Sequence, residues 1–299
     1  MPDKLYKQIV ILSGKGGTGK TTLSAAFASL IRKKVIIDCD VDAANLHIIL
    51  KPQIINSSIF WGGKKAIIDI EKCEECGLCQ SVCKFDAISD YTVDQLSCEG
   101  CGFCFRICPY NAIKFNTTES GSYFECRLKD DSKFYYAKLL PGEGNSGKLV
   151  SELKKKALKY IPSDIEWVIV DGPPGIGCPV NASIAGVDYV VIVTEPTVSG
   201  IHDLKRLVLL LNTFNIKAGI VINKFDLNET ITNQIFSYAE GEKIPIIGTI
   251  PFDKEFMKAL INNKNIVEIN ENIRKCINSI LDQLELQIKV SVNLTKGVI

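Results

Sequence analysis

Short apolar runs recur along the chain, each ending in a polar or glycine-rich turn. They cover Gln8 to Ser13 (QIVILS), Lys34 to Asp38 (KVIID), Trp167 to Gly172 (WVIVDG), Tyr189 to Thr194 (YVVIVT), Ala218 to Asn223 (AGIVIN) and Ile244 to Ile250 (IPIIGTI). None shows the alternation of a half-exposed strand, so each predicts a strand covered on both faces. Stretches of helical character lie between them, at residues 21–33, 148–160, 200–213 and 228–239. Strands alternating with helices predict an α/β fold with a doubly wound, mostly parallel sheet and right-handed crossovers. Residues 253–286 read as two helices. The tail from Gln287 (QIKVSVNLTKGVI) alternates like a strand.

Residues 62–118 break this pattern. "CEECGLCQSVC" (Cys73 to Cys83) and "CEGCGFCFRIC" (Cys98 to Cys108) repeat with a shift of 25 positions, every cysteine in register. The doubled spacing C-x2-C-x2-C-x3-C, with Pro109 after the second copy, is the pattern of two-cluster bacterial ferredoxins. There, three cysteines of each run hold one [4Fe–4S] cluster and the fourth crosses to the other. Cys73, Cys76, Cys79 and Cys108 are thus expected at one cluster, and Cys98, Cys101, Cys104 and Cys83 at the second. Lys84 stands where the second run has proline, which touches the turn more than the ligands. Structural zinc is the competing reading of so many thiols; the doubled register argues against it. The segment reads as a small α+β ferredoxin-like domain (62–118) inserted into an α/β domain of residues 1–61 and 119–299. Residues 119–145 alternate polar and apolar positions and predict a hairpin before the main sheet resumes.

The first apolar run leads into "SGKGGTGKTT" (Ser13 to Thr22), which satisfies G-x-x-x-x-G-K-[ST] between a predicted strand and a predicted helix. Gly14, Gly16, Gly17, Thr18 and Gly19 are the backbone cradle for phosphates, at a helix N-terminus that favours anions. Lys20 is expected at the β/γ-phosphates, Thr21 at Mg²⁺ and Thr22 in the first turn beside them. "GEGNSGKL" (Gly142 to Leu149) matches the same glycine–lysine spacing. Leu149 replaces the metal-binding hydroxyl there, and no apolar run precedes it, so it reads as a loop and a helix start.

Lys15 makes the loop the deviant, two-lysine form, and here the chain resembles the MinD/Mrp/nitrogenase-iron-protein class of dimeric P-loop ATPases. "DCDVDAANL" (Asp38 to Leu46) is similar to that class's switch I, and "VIVDGPPGIG" (Val168 to Gly177) to its Walker B and switch II. "INKFD" (Ile222 to Asp226) and "IPFD" (Ile250 to Asp253) fall where the class contacts the base. The resemblance extends over the whole chain except the insert. It is strongest to MinD-superfamily ATPases with an inserted ferredoxin domain, which share "TEPTVSGIHDLKR" (Thr194 to Arg206). It implies ATP and Mg²⁺ as ligands, a homodimer, and a Lys15 that reaches the partner subunit's phosphates. It also implies Asp38 and Asp40 at the attacking water or the hydrated metal, Asp171 as the Walker B acid, and Asn223 and Pro251 near the purine. Asn223, Lys224 and Asp226 also fit N-K-x-D, the guanine-reading pattern, so the residues leave ATP and GTP both open while the resemblance favours ATP.

Net charge near +1 gives no footprint for nucleic acid, and no run approaches the roughly 20 apolar residues of a spanning helix. The chain is accordingly read as cytoplasmic, with no nucleic-acid partner and no membrane insertion; twelve cysteines there point to metal rather than disulfides. Of the four outside the repeats, Cys39, Cys126 and Cys276 read as packing. Cys178 lies seven residues after Asp171, where the nitrogenase iron protein places a cysteine on a cluster shared across its dimer. That cluster needs a second cysteine per subunit, and "PGEGNSG" (Pro141 to Gly147) carries Asn145 in its place. Cys178 therefore stands between a transient dimer-interface ligand and switch II packing. The function that emerges is an ATP-hydrolysing iron–sulfur carrier or metallocofactor-assembly factor, which hands a cluster to an acceptor. The alternative is an ATP-gated electron donor to a redox partner, and a MinD/ParA-like positioning switch is a weaker third.

Overall fold

The structure, a computed structural model, describes residues 6–296. The apolar runs form the middle of one nine-stranded sheet. In the first half of the chain β1 (Lys7–Ser13) leads through α1 (Lys20–Leu30) to β2 (Lys34–Asp38), α2 (Leu46–Leu50) and β3 (Gln53–Phe60). The segment that follows holds β4 (Gly63–Ile68), α3 (Leu78–Ser81), β5 (Ile88–Ser89), β6 (Thr92–Val93), α4 (Phe103–Ile107) and β7 (Ile113–Thr118). A hairpin of β8 (Gly121–Arg127) and β9 (Lys133–Leu139) returns to the main sheet. Then come α5 (Ser146–Leu158), β10 (Trp167–Pro174), α6 (Cys178–Ile184), β11 (Tyr189–Thr194), α7 (Val198–Thr213), β12 (Ala218–Asn223), α8 (Glu229–Gly241) and β13 (Ile246–Ile250). Three helices close the chain: α9 (Glu255–Ile261), α10 (Ile266–Ile269) and α11 (Glu271–Lys296).

The strand order is β13-β12-β11-β1-β10-β2-β9-β8-β3, all running the same way except β8, which is antiparallel to both its neighbours. Alternate residues of β1 explain its unbroken apolarity. Val10 and Leu12 pack with α5, α6, α7 and α8, while Ile9 and Ile11 pack with α1 and α11 on the opposite face. β4 and β7 pair only with each other, so residues 63–118 leave the edge of the main sheet and return to it beside their point of departure. No helix among the described residues is long and apolar enough to cross a membrane.

Three elements differ from the sequence reading. Residues 253–286, read as two helices, hold α9, α10 and the start of α11. The alternating tail is not strand-like: α11 runs on to Lys296. Ile273, Ile277, Ile280, Leu284 and Ile288 recur at helical spacing and bury against the sheet. A period-two pattern wound into a helix fills two opposite sides, so Leu286 and Val290 are exposed. And a strand does precede the second glycine–lysine loop, since β9 ends at Leu139 and α5 begins at Ser146. That loop nevertheless carries its own carboxylate, Glu143, which faces Ser120 and Lys65 rather than an anion.

Candidate functional site

Three carboxylates and one ammonium meet at the C-terminal ends of β2 and β10. These strands pair in register, Asp38 opposite Asp171, so the sheet itself sets the two acids side by side. Lys20 begins α1, where Gly19 at φ 93 turns the chain into the helix. Its Nζ lies 2.8 Å from Asp171 Oδ1, 3.6 Å from Asp40 Oδ2 and 3.3 Å from Thr21 Oγ1. Asp38 accepts the backbone N–H groups of Asp40 and Leu46, which pins the start of the switch-like segment. Ser24, one turn after Lys20, donates to Asp171 Oδ1 at 2.8 Å, while Asp171 Oδ2 is buried with no partner.

The charges here do not balance. Burial, then the neighbouring Asp171, pushes the Asp38 carboxyl up to about 8. Burial raises Asp40 as well, against the pull of Lys20. Burial works against the charge of Lys20, but Asp171, Asp40 and Asp38 outweigh it and raise its pKa. An acceptor-rich pocket with one orphaned carboxylate oxygen and a threonine hydroxyl fits a hard, oxygen-seeking cation such as Mg²⁺.

A pH effect follows from Asp38. Between about pH 4, where a free carboxyl ionises, and about pH 8 the folded ligand-free protein keeps a proton that the unfolded chain has released. Its contribution to stability therefore falls as pH rises through that window and is lowest above it. Asp38→Asn should flatten this slope in melting curves taken from pH 5 to pH 8.5. Identical slopes for variant and parent would overturn the assignment.

The glycine loop borders a cleft whose other walls include Asp40, Asp42 and Pro174, with Lys20, Thr21 and Thr22 at its base. A second, more apolar pocket adjoins it between Gly17, Gly19, Asn223, Phe252, Asp253 and Met257. Asn223 is tied to the loop, donating from Nδ2 to the Thr18 carbonyl at 2.8 Å. Lys224 also borders this pocket. Asp226 does not; its Oδ1 accepts the Phe252 N–H at 2.7 Å and so braces the turn that holds Pro251. Lys15 likewise borders neither pocket: its Nζ lies 2.8 Å from Glu195 Oε1. Sequence reasoning missed Ser24, Glu195 and Glu143. Ser24 was open to discovery from its i+4 spacing to Lys20.

The eight repeat cysteines divide into two sets beside the small β4–β7 sheet. Cys73, Cys76, Cys79 and Cys108 border one small cavity, and Cys83, Cys98, Cys101 and Cys104 another. Each run thus places three thiols at one cavity and its fourth at the other. The backbone repeats with the sequence: Glu75 and Gly100, Gly77 and Gly102, and Asp86 and Asn111 share positive φ at a spacing of 25. Ala87 N–H points at Cys83 Sγ and Ala112 N–H at Cys108 Sγ, each at 3.4 Å. Cys76 and Cys101 are exposed, whereas Cys79, Cys98 and Cys104 are buried. Among the described residues no group of three or more His, Cys, Asp or Glu side chains is placed to hold a metal ion.

Cys178, exposed, opens α6. A Cβ on Gly147, at the start of α5, would meet Cys178 Cβ at 3.1 Å, so the loop holding Asn145 does lie against switch II. Cys39 and Cys126 are buried, and burial pushes both thiols up; Cys276 donates to the Thr249 carbonyl.

A parallel sheet with a glycine loop on its first strand and paired acids on its neighbours is the nucleotide site of a P-loop NTPase. Within that class the chain belongs to the CobQ/CobB/MinD/ParA nucleotide-binding family, whose CbiA domain matches residues 9–266. It is 36% identical over 287 residues to the uncharacterized protein MJ0578 of Methanocaldococcus jannaschii, covering 94% of this chain and 97% of that one. The septum site-determining protein MinD of Synechocystis sp. is 25% identical over 83% of this chain and 77% of its own length. In fold it is similar to MinD of Pyrococcus horikoshii, solved with Mg-ADP (TM-score 0.58, 16% identity, 96% of this chain and 98% of that one). It is likewise similar to a McdA–ATP complex of Cyanothece (TM-score 0.60, 16% identity, 94% and 97%).

Proposed function

We propose that this protein is an ATP-hydrolysing, homodimeric iron–sulfur protein in which nucleotide state gates electron transfer through two resident [4Fe–4S] clusters. The carrying observation is that each cavity has four thiols of its own, interleaved between the two runs. Four thiolates saturate the outer iron positions of a cube, and a saturated site favours retention over release. When bound, such clusters supply one-electron chemistry. Residues 62–118 are then the ferredoxin-like domain. The carrier reading keeps one observation in its favour, the exposed Cys178 beside the α5 loop. It predicts a labile third site, which hydrolysis would loosen across the dimer.

For the nucleotide, Lys20 binds the β/γ-phosphates, Thr21 and Asp171 hold hydrated Mg²⁺, and Asp38 and Asp40 order the attacking water. Lys15 reaches the partner subunit's phosphates. ATP is favoured over GTP because Asp226, the residue that would read guanine, does not border the base pocket and turns Oδ1 to the Phe252 N–H.

Helix α5 supports the gating. At its C-terminal half, Lys154 Nζ donates to the carbonyls of Ser183 and Ala185, at the end of α6. At its start, Gly147 is pressed against Cys178. Just before it, Glu143 pairs with Lys65 of β4 at 3.2 Å and accepts from Ser120, which in turn accepts Gly63 N–H. Lys65 also donates to Gln95 between the two cysteine runs. Switch II movements, the usual response to loss of the γ-phosphate, would pass along this strut to the insert.

The test is an anaerobic redox titration, with and without a non-hydrolysable ATP analogue, alongside iron and sulfide analysis. The expected result is about eight irons per chain and a midpoint that shifts with nucleotide. Lys65→Met should keep the iron and the ATPase rate but lose the shift. Stoichiometric zinc would end the cluster reading, and rapid loss of a cluster to an apo-acceptor would favour the carrier.

A further inference from the structure

Lys15 is not a loose surface side chain. An ammonium group has three N–H donors, and all three have acceptors on the same chain. Glu195 Oε1 lies at 2.8 Å, Ser199 Oγ at 2.9 Å and Thr197 Oγ1 at 3.3 Å. The three acceptors occupy five consecutive positions between β11 and the first turn of α7. Their geometry is fixed independently of the lysine. Thr197 Oγ1 caps α7 by accepting Gly200 N–H at 3.0 Å, and Thr197 N–H donates to the Glu195 carbonyl at 2.7 Å. A Cβ on Gly200 would meet that carbonyl at 2.3 Å, so the turn is tight and closed.

Glu195 is shared. Its second oxygen accepts Lys224 Nζ at 3.0 Å, joining the N-K-x-D lysine to the phosphate-loop lysine through one carboxylate. Its side chain is 13% exposed and that of Lys15 33%. Burial works against the Glu195 charge, yet Lys15 and Lys224 outweigh it and hold the carboxyl below its ordinary range. Glu195 is thus ionised and doubly engaged.

We infer that Glu195, with Thr197 and Ser199, is a cradle that stores Lys15 on its own subunit and releases it only when a partner's nucleotide phosphates compete for the ammonium. This rests on the cross-dimer role given to Lys15 above and adds the residue that positions it. The exchange is between two charge-assisted sites. A lone exposed lysine would be available to any passing anion. A docked one answers only to a dense negative charge presented at the right distance, as a bound ATP across a dimer interface would be. The cradle therefore sets how much ATP and protein the dimer needs. Glu195 acts through Lys15 and is a positioning residue.

The first readout needs no dimer. Pulse labelling of the nucleotide-free protein with acetic anhydride, read by peptide mass spectrometry, reports how accessible the Lys15 amine is. Glu195→Gln keeps the shape and removes the charge; it should label at Lys15 several-fold faster, and Ser199→Ala should do so to a smaller degree. Equal rates in parent and variants overturn the cradle. The second readout is sedimentation with a non-hydrolysable ATP analogue. Glu195→Gln should tighten the dimer about fivefold, and in a Lys15→Ala background it should change nothing. A change of the same size in that background would mean that Glu195 acts through Lys224, and the inference would be wrong. A parent that labels slowly yet never dimerises with the analogue would instead remove the cross-dimer role of Lys15 and, with it, the release step. Melting curves of each variant confirm that it is folded.

Discussion

Lys20→Ala is expected to abolish hydrolysis, to weaken nucleotide binding about a hundredfold or more, and to destabilise the ligand-free protein. The first two effects come from the phosphates. A charged hydrogen-bond partner is worth about 1.5–3 kcal/mol, and roughly 2.7 kcal/mol is a hundredfold in affinity. The third comes from the acids. Lys20 Nζ is the cation that faces Asp171 and Asp40, with Asp38 behind them, and Asp171 is fully buried. Removing one partner of a buried pair costs about 3–5 kcal/mol because the remaining charge stays desolvated. Proton uptake by the acids relieves part of that cost, so the variant should recover stability as pH falls. Lys15→Ala should behave otherwise. It removes a partly exposed pair, so folding and nucleotide affinity should hardly change, while turnover and ATP-dependent dimerisation are lost. Isothermal titration with ATP, melting curves and turnover assays on both variants separate the cases. Equal loss of binding in the two would erase the division of labour between these lysines.

How much of this was legible in the sequence depends on what each residue faces. β2, β11 and β12 coincide with apolar runs because both faces of each are covered. β3 gives no such signal: all of its residues but Phe60 are exposed at the sheet edge. The tail misleads because alternation fits two helix faces as well as two strand faces. The same limits apply to the site. Lys20, Thr21 and Asp171 stand in spaced motifs whose chemistry dictates residue type, so they are readable one by one. Glu195 and Glu143 carry no motif. Their partners, Lys15 and Lys65, lie far away in the chain, and nothing local marks either acid as engaged. The cradle and the strut are tertiary facts. What the repeat does carry is the doubled spacing of two-cluster ferredoxins, and the crossing of the fourth cysteine comes with that pattern.

That crossing gives the second large effect. Cys108→Ser should remove one cluster, the one held by Cys73, Cys76 and Cys79, although Cys108 belongs to the other run. Iron should fall from about eight to about four per chain. Double variants decide which thiols act together. Cys108→Ser with Cys76→Ser disturbs one cavity twice, and about four irons should remain. Cys108→Ser with Cys101→Ser disturbs both, and iron should fall close to zero. If the runs instead held one cluster each without crossing, the two results would exchange places. Loss of both clusters should also unfold the insert. Its core comprises few apolar side chains, among them Ala66, Ile68, Ile88, Val93 and Ile113, with the cysteines packed between them. A core this small is marginal without a staple, and metal ligation would supply the missing free energy. The main sheet has its own cores on both faces. Limited proteolysis of the iron-free double variant should therefore cut within residues 62–118 and leave an ATP-binding remainder. An insert that resists protease without iron, at the rate of the loaded protein, would show that the thiols are not what folds it.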